Sequence, residues 1–418
     1  MKKKSRILLG LGLGAVLLGA VTGCAKGDNQ TNGSKVKLSI NLYTGAISED
    51  SMKAATEKFP DYELKFNTLP ADENFDKKLK TSLNSKSAPD ITTINSNIEE
   101  FIPYADKFIN LLDHGAGDVA SEYVSWKWES GMTPDKSKLI AMPLDIGPTA
   151  LIYHVETFKK AGLPTEPDKV AEKIKTDEDY MNVAKAIKEK TGKATWLAGD
   201  DLLATQLRKM TKSQYNEEGE LILADGETKA AWDYVVEAVK KGYTLGVQGN
   251  SVDSMVALTD AMYSAHIAAS WGVTDMKDDY DKRIDQWRVT TAPGNPSNYG
   301  GSFLSVIGTT KHPKEAAEVV RYLTSKEMQT ANMKELSLFP ANKEVYQDPI
   351  MVNEDEFFGG QEINQYFIAS AENIGYVYKD KRDSAALDCL MEQISLVEYQ
   401  GKNPEDAWKD AIAKIEKL

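Results

Sequence analysis

Cysteine is almost missing: 418 residues contain two, Cys24 and Cys389. Two thiols cannot make a disulfide framework or a cysteine-rich zinc site. Histidine is nearly as scarce. His114, His154, His266 and His312 are scattered without ligand spacing, so no metal site is expected, although calcium on loop oxygens stays open. No His-Glu-x-x-His, Gly-x-Ser-x-Gly or Walker loop occurs, and no cofactor is expected. Internal repeats and low-complexity tracts are also lacking. So is a surplus of positive charge. The net charge is -13, and the first 23 residues hold Lys2, Lys3, Lys4 and Arg6 with no acid, so the rest is more acidic still. An acidic body argues against nucleic acid or anionic lipid as the main partner.

What is present is ordinary globular composition, 41% hydrophobic and 27% charged. Single cores stop growing near about 250–300 residues, so this length implies two or three domains. The N-terminus sets the compartment. A basic start is followed by an uncharged apolar run from Ile7 to Val21 and then Val21-Thr22-Gly23-Cys24. The run is short for a bilayer span, which needs about 20 residues, and reads as a signal peptide over 1–23. Small residues before a cysteine resemble the lipobox of bacterial lipoproteins, which implies lipid on Cys24. Residues 24–34 are polar and turn-rich and read as a flexible tether at the outer face of the cell membrane. Cys389, in the apolar run Ala-Ala-Leu-Asp-Cys-Leu-Met, reads as buried core.

Beyond the tether, strands alternate with helices. Val36, Leu38, Ile40 and Leu42 alternate with polar residues, a period-two strand ending at Tyr43. Helix 51–59, strand 62–69, helix 75–83 and a strand near Ile91 follow. Further on, 181–187, 228–239 and 313–323 read as helices, and 287–291 and 303–307 as strands. The order predicts an α/β fold with mostly parallel sheets, whose ligands lie at the carboxyl ends of the strands. The loops to inspect are therefore Tyr43-Thr44, Asp72 to Phe75, and Asn95 to Asn97. The Pro- and Gly-punctuated run from Met142 to Pro148 reads as a crossing between lobes.

Several segments, in order, carry a family resemblance. They are Ser87-Ala88-Pro89-Asp90-Ile91, the stretch from Leu151 to Pro164, Ala261 to Trp271, Gly300-Gly301-Ser302 followed by Lys314 to Gln329, and Leu338 to Asn342. With the lipobox ahead of them, the chain resembles the maltodextrin-binding type of extracellular solute-binding protein, the family-1 component of ABC importers. The resemblance implies a two-lobed periplasmic-binding-protein-like fold of type II, with a cleft between lobes joined by hinge strands. It puts one lobe at 35–145 plus 297–340 and the other at 146–296 plus 341–418. It implies a monomer that captures an oligosaccharide, possibly a gluco-oligosaccharide, and hands it to permease subunits. Maltodextrin itself is not carried over. Where those binders have a tryptophan after the third strand this chain has Ile94-Asn95-Ser96-Asn97, and where they have a glutamate it has Gly147-Pro148.

A sugar offers apolar C–H faces and a rim of hydroxyls, which rings and planar polar groups complement. The candidate rings are Tyr43, Trp196, Trp271, Tyr299, Phe303, Phe339, Tyr376 and Tyr378. At most one of Trp126 and Trp128 should face the cleft, and Trp232 reads as core. The polar candidates are Asn74, Asn95, Asn97, Asp145, and Gly301 and Ser302 with Gly300. Asp145 lies between apolar neighbours and needs a hydrogen-bond partner, either a sugar hydroxyl or hinge backbone. The rival readings are an extracellular glycoside hydrolase, which would need a pair of carboxyls, a binder of a peptide, polyamine or metal, and a sensor that presents its ligand to a kinase.

Overall fold

The computed structural model describes residues 35–71, 73–85, 87–249, 251–279 and 285–418. The lipobox and tether, with Cys24, lie outside the described residues. Ten strands run in chain order: β1 Val36–Tyr43, β2 Tyr62–Leu69, β3 Ile91–Ile94, β4 Ala141–Pro143, β5 Asp145–Ile146, β6 Thr149–His154, β7 Ala265–Ala269, β8 Trp287–Thr290, β9 Phe303–Val306 and β10 Phe339–Pro340. They form a five-stranded sheet in the order β2-β1-β3-β9-β4, a three-stranded sheet β7-β6-β8, and the pair β10-β5.

In β1 the period-two pattern is realised literally: Leu38, Ile40 and Leu42 are buried and the residues between them are not. β1 pairs in parallel with β2, from Val36 opposite Tyr62 to Tyr43 opposite Leu69, and with β3. The expected mostly parallel sheets are corrected here. β9 runs antiparallel to both β3 and β4, and the three-stranded sheet is antiparallel throughout. The reason is connectivity. Both Ile94 at the end of β3 and Pro143 at the end of β4 pair with Phe303 at the start of β9. The chain thus leaves the first sheet for the second and re-enters at the same edge, so the returning strand must point backwards.

Helices pack on both sheets. Helix Glu49–Lys58 is opened by Ser48, whose hydroxyl accepts from the Ser51 amide at 3.1 Å. Helix Asp177–Thr191 starts with a capping box between Thr176 and Asp179. Helix Pro313–Leu323 buries Ala316, Ala317, Val319, Val320 and Leu323, the stripe its spacing predicted. One core joins Leu38, Ile40, Leu304, Val320 and Leu323 and continues through Ile146 and Ile152 into the crossing. A second joins Tyr153, Phe158, Tyr180, Trp232 and Leu390. Cys389 is only half-buried, on helix Asp383–Gln400, because its neighbour Leu390 takes the inward position.

Close approach of backbones explains the glycines of the crossing. Gly301 has φ +81°, and a Cβ there would sit 2.5 Å from the Asp145 carbonyl oxygen and 2.7 Å from Ile146 Cα. Neither atom can move without shifting a strand. Gly360, also at positive φ (+77°), faces nothing within 4 Å. Gly301→Ala should therefore lower stability by about 2 kcal/mol or more and Gly360→Ala by about 1 kcal/mol, read as urea midpoints at constant m. Equal midpoints for the two variants would contradict this packing.

Candidate functional site

The crossing is a compact hydrogen-bonded unit. The Leu144 amide donates to the Ser302 carbonyl at 2.9 Å, and the Ser302 amide donates back to an Asp145 carboxylate oxygen at 2.9 Å. The Ser302 hydroxyl donates to that same oxygen. The Gly147 amide donates to Asn298 Oδ1 at 2.8 Å, and the Tyr299 amide donates to the Gly147 carbonyl at 2.7 Å. Trp271 Nε1 donates to the Tyr299 carbonyl at 2.9 Å, with the two rings 5.1 Å apart.

Beside this crossing, at the carboxyl edge of the first sheet, lies a cavity of about 540 Å³. One wall carries Ser96 and Glu99 from the loop after β3, Trp126 and Lys127 from helix Ser125–Ser130, and Phe303 from the start of β9. The rest of the lining comes from Arg208 and Lys209 at the end of helix Gly199–Arg208, Asn298 of the crossing, and Tyr376, Tyr378 and Asp383 from the segment that enters helix Asp383–Gln400. Trp126 is held by donating Nε1 to the Ala371 carbonyl at 2.9 Å. Trp128, one residue beyond Lys127, turns instead against Tyr123 at 5.3 Å.

Charge in the cavity is unusual. Lys127 is 2% exposed and its Nζ lies 3.8 Å from the centroid of the Phe303 ring. Burial pushes its ammonium down to about 7; Asp145 and Glu99 pull the other way and Lys379 adds to the depression. Burial pushes the Glu99 carboxyl up, opposed by Lys379. Ser384, which also lines the cavity, donates its hydroxyl to Glu99 at 3.4 Å. Burial likewise pushes Asp145 up, against the Ser302 hydrogen bond and Lys127. Arg208 lies flat over the Tyr299 ring, 3.7 Å from its centroid.

The candidates from sequence are dispersed. Tyr376 and Tyr378 line the cavity. Asp145, Gly301 and Ser302 form the crossing behind it; the acid's partner is the Ser302 backbone and hydroxyl. Trp271 opens helix Ser270–Asp279 and braces the crossing rather than lining the cavity. Tyr43 is half-buried at the end of β1, edge-on to Phe75 at 6.0 Å. Asn95 is exposed, with Oδ1 accepting from the Ser96 amide at 2.8 Å, and Asn97 donates to Glu100 at 3.1 Å. Of that loop, Ser96 reaches the cavity. Asn74 is exposed on helix Glu73–Ser82. Trp196 and Phe339 are corrected in placement. Trp196, 3% exposed, packs edge-on to Tyr180 at 5.0 Å in the second core. Phe339, 1% exposed, packs on Tyr346 and Phe367. Both sit on short bridging segments whose side chains point into a lobe. Unforeseen were Lys127, Glu99 and Arg208. The one signal was a lysine between two tryptophans, Trp126-Lys127-Trp128, since a helical turn that buries both flanks must bury much of the lysine as well.

Residues 50–359 match the family described as bacterial extracellular solute-binding protein. The chain belongs to that family. Among curated relatives, this solute-binding protein is 22% identical over 402 residues to the arabinooligosaccharide-binding protein of Halalkalibacterium halodurans, covering 88% of this chain and 86% of that one. Among solved structures it is similar to an extracellular solute-binding protein family 1 crystal structure, with TM-score 0.87 and 25% identity over 91% of this chain and 99% of the other. It also shares the fold of the sugar-binding protein MalE from Xanthomonas citri, with TM-score 0.74 and 14% identity over 91% and 97% of the two chains. The fold is accordingly the two-lobed α/β architecture. The matched span ends before Tyr376 and Tyr378, so those rings belong to the part of the cavity outside the family match.

In this solute-binding protein Asp145 holds the crossing together. Asp145→Ala removes the acceptor of the Ser302 hydroxyl and the nearest counter-charge of Lys127. It should cost about 1–3 kcal/mol, seen as a lowered melting temperature at neutral pH, with Asp145→Asn costing less because an amide oxygen still accepts. An unchanged melting temperature for the alanine variant would remove Asp145 from that role.

Proposed function

We propose that this solute-binding protein captures an oligosaccharide in the cavity and delivers it to the permease subunits of an ABC importer, with no chemistry done on the sugar. The observation that carries the reading is one cavity lined by rings and polar groups from distant parts of the chain. Trp126, Phe303 and Asn298 come from the segments read as one lobe, and Tyr376 and Tyr378 from those read as the other. A cavity of about 540 Å³ suits a small oligosaccharide, and mixed aromatic and polar walls are what sugar faces and hydroxyl rims require. The relative from Halalkalibacterium halodurans is named for arabinooligosaccharides, which supports the class of ligand.

Binding to one wall gains contacts from the other only when the lobes close, so ligand shifts an open–closed equilibrium by its differential affinity. In this reading the lobes are 35–145 plus 297–340 and 146–296 plus 341–418, and the chain works as a monomer. The crossing unit between Asp145 and Ser302 is short and bonded within itself, which favours rotation about it over unravelling. Hydrolysis of the ligand needs two free carboxyls at a set separation. Of the acids lining the cavity, Asp383 accepts from Gln214 and Ser213, and Asp380 pairs with Arg382, leaving Glu99. That distribution favours a binder.

Tyr376→Ala and Tyr378→Ala should each weaken sugar binding about tenfold while moving the melting temperature little, because both rings stand at the cavity rather than in a core. Calorimetry against a panel of neutral and acidic oligosaccharides measures this, and chromatography of the recovered sugar should return it uncut. Cleaved sugar would replace the reading with the hydrolase. Residues 1–23 as a signal peptide and Cys24 as the lipid-bearing residue complete the proposal: Cys24→Ser should move the protein from the membrane fraction into the medium. Retention of that variant on membranes would argue for a different anchor.

A further inference from the structure

The cavity contains more positive charge than its own carboxylates use. Six of its lining residues are cationic: Lys127, Arg208, Lys209, Lys212, Lys379 and Lys381. Two are already paired, Lys209 with Asp177 and Lys212 with Asp225. The lining acids Asp380 and Asp383 are taken by Arg382 and by the Gln214 amide and Ser213 hydroxyl, respectively. Among the described residues, the Lys127 ammonium has no hydrogen bond and no ion pair, and it rests on the Phe303 ring at 3.8 Å. A buried ammonium is costly without a partner. This one stands at the wall of a cavity that opens for a ligand, in a chain whose net charge is -13. A protein this acidic repels anions at long range, so local positive charge in the cavity is what an anionic ligand would need.

We propose that the ligand is an acidic oligosaccharide and that Lys127 pairs with a uronic-acid carboxylate of one of its sugars. This rests on the cavity being the oligosaccharide site. A monoanion is the smallest charge that answers the unpaired Lys127 ammonium, and Glu99 beside it opposes a second negative charge. The rings of Trp126, Tyr376 and Tyr378 remain for the sugar faces, and Lys379 and Lys381, neither of them ion-paired among the described residues, stand at the rim to steer the anion in.

Binding should then take up a proton. The charged groups facing Lys127 are Asp145 of the crossing, Glu99 of the loop after β3 and Lys379 of the segment before helix Asp383–Gln400. With the cavity empty the ammonium titrates at about 7. An arriving carboxylate raises that value, so affinity for an acidic sugar is complete below about pH 7 and falls as pH rises above it. Ionisation of Glu99 acts in the same direction, and Lys127→Gln isolates its share.

The test is calorimetry of the purified full-length protein with two matched pairs: trigalacturonate against α-1,4-galactotriose, and a glucuronic-acid-substituted xylo-oligosaccharide against the unsubstituted one. At least one acidic member should bind about 30-fold or more tightly than its neutral partner. That ratio should shrink to under about threefold in Lys127→Gln, should fall with salt, and should decline from pH 6.5 to about 8.5 in the wild-type protein, a profile that needs no variant to fold. Neutral members binding as well as or better than acidic ones, or an acidic preference untouched by Lys127→Gln and by pH, would overturn the inference and leave the oligosaccharide reading standing. Failure of every sugar in both pairs to bind would count against both.

Discussion

Everything in the architecture passes through the paired crossing of residues 144–149 and 297–302. One buried carboxylate, Asp145, accepts both the amide and the hydroxyl of Ser302 across 157 positions of sequence. Leu144, Gly147, Tyr299 and Thr149 add main-chain bonds on either side. Because these bonds are internal to the crossing, the connection stays ordered while the first core runs on through Ile146 and Ile152 into it. Gly301 shows how little room is left: any side chain there would strike the backbone of the opposing strand.

The same constraint fixes where a ligand can go. The chain departs from and returns to the first sheet at one edge, so β3, β4 and β9 all present their ends there. Phe303 begins β9 at that edge, Lys127 lies over its ring, and Asp145 sits behind. A charge introduced into so dry a place is held by electrostatics from fixed neighbours rather than by water. This is why the titration of Lys127, the packing of Phe303 and the integrity of the crossing are one problem rather than three.

How far the site was legible follows the kind of signal each residue leaves. Tyr376 and Tyr378, candidate rings from sequence, line the cavity. Trp271 was correctly seen at a strand end, yet its indole N–H serves the hinge carbonyl of Tyr299. Trp196 and Phe339 are candidate rings in sequence, and each is core, packed against other rings with almost no exposure. Lys127 was overlooked because a lysine in sequence reads as solvated, and only its neighbours in space say otherwise.

By itself the sequence marked several of the elements and their order. Alternation marks β1, the apolar stripe marks helix Pro313–Leu323, and the punctuated run after Met142 marks the crossing. Those are local properties, since periodicity and capping act over a few residues. Tertiary structure alone decided the direction of β9, the antiparallel second sheet, the partner of Asp145 and the membership of the cavity wall. Each of these depends on residues more than a hundred positions apart being brought into contact, and no short window of sequence carries that information.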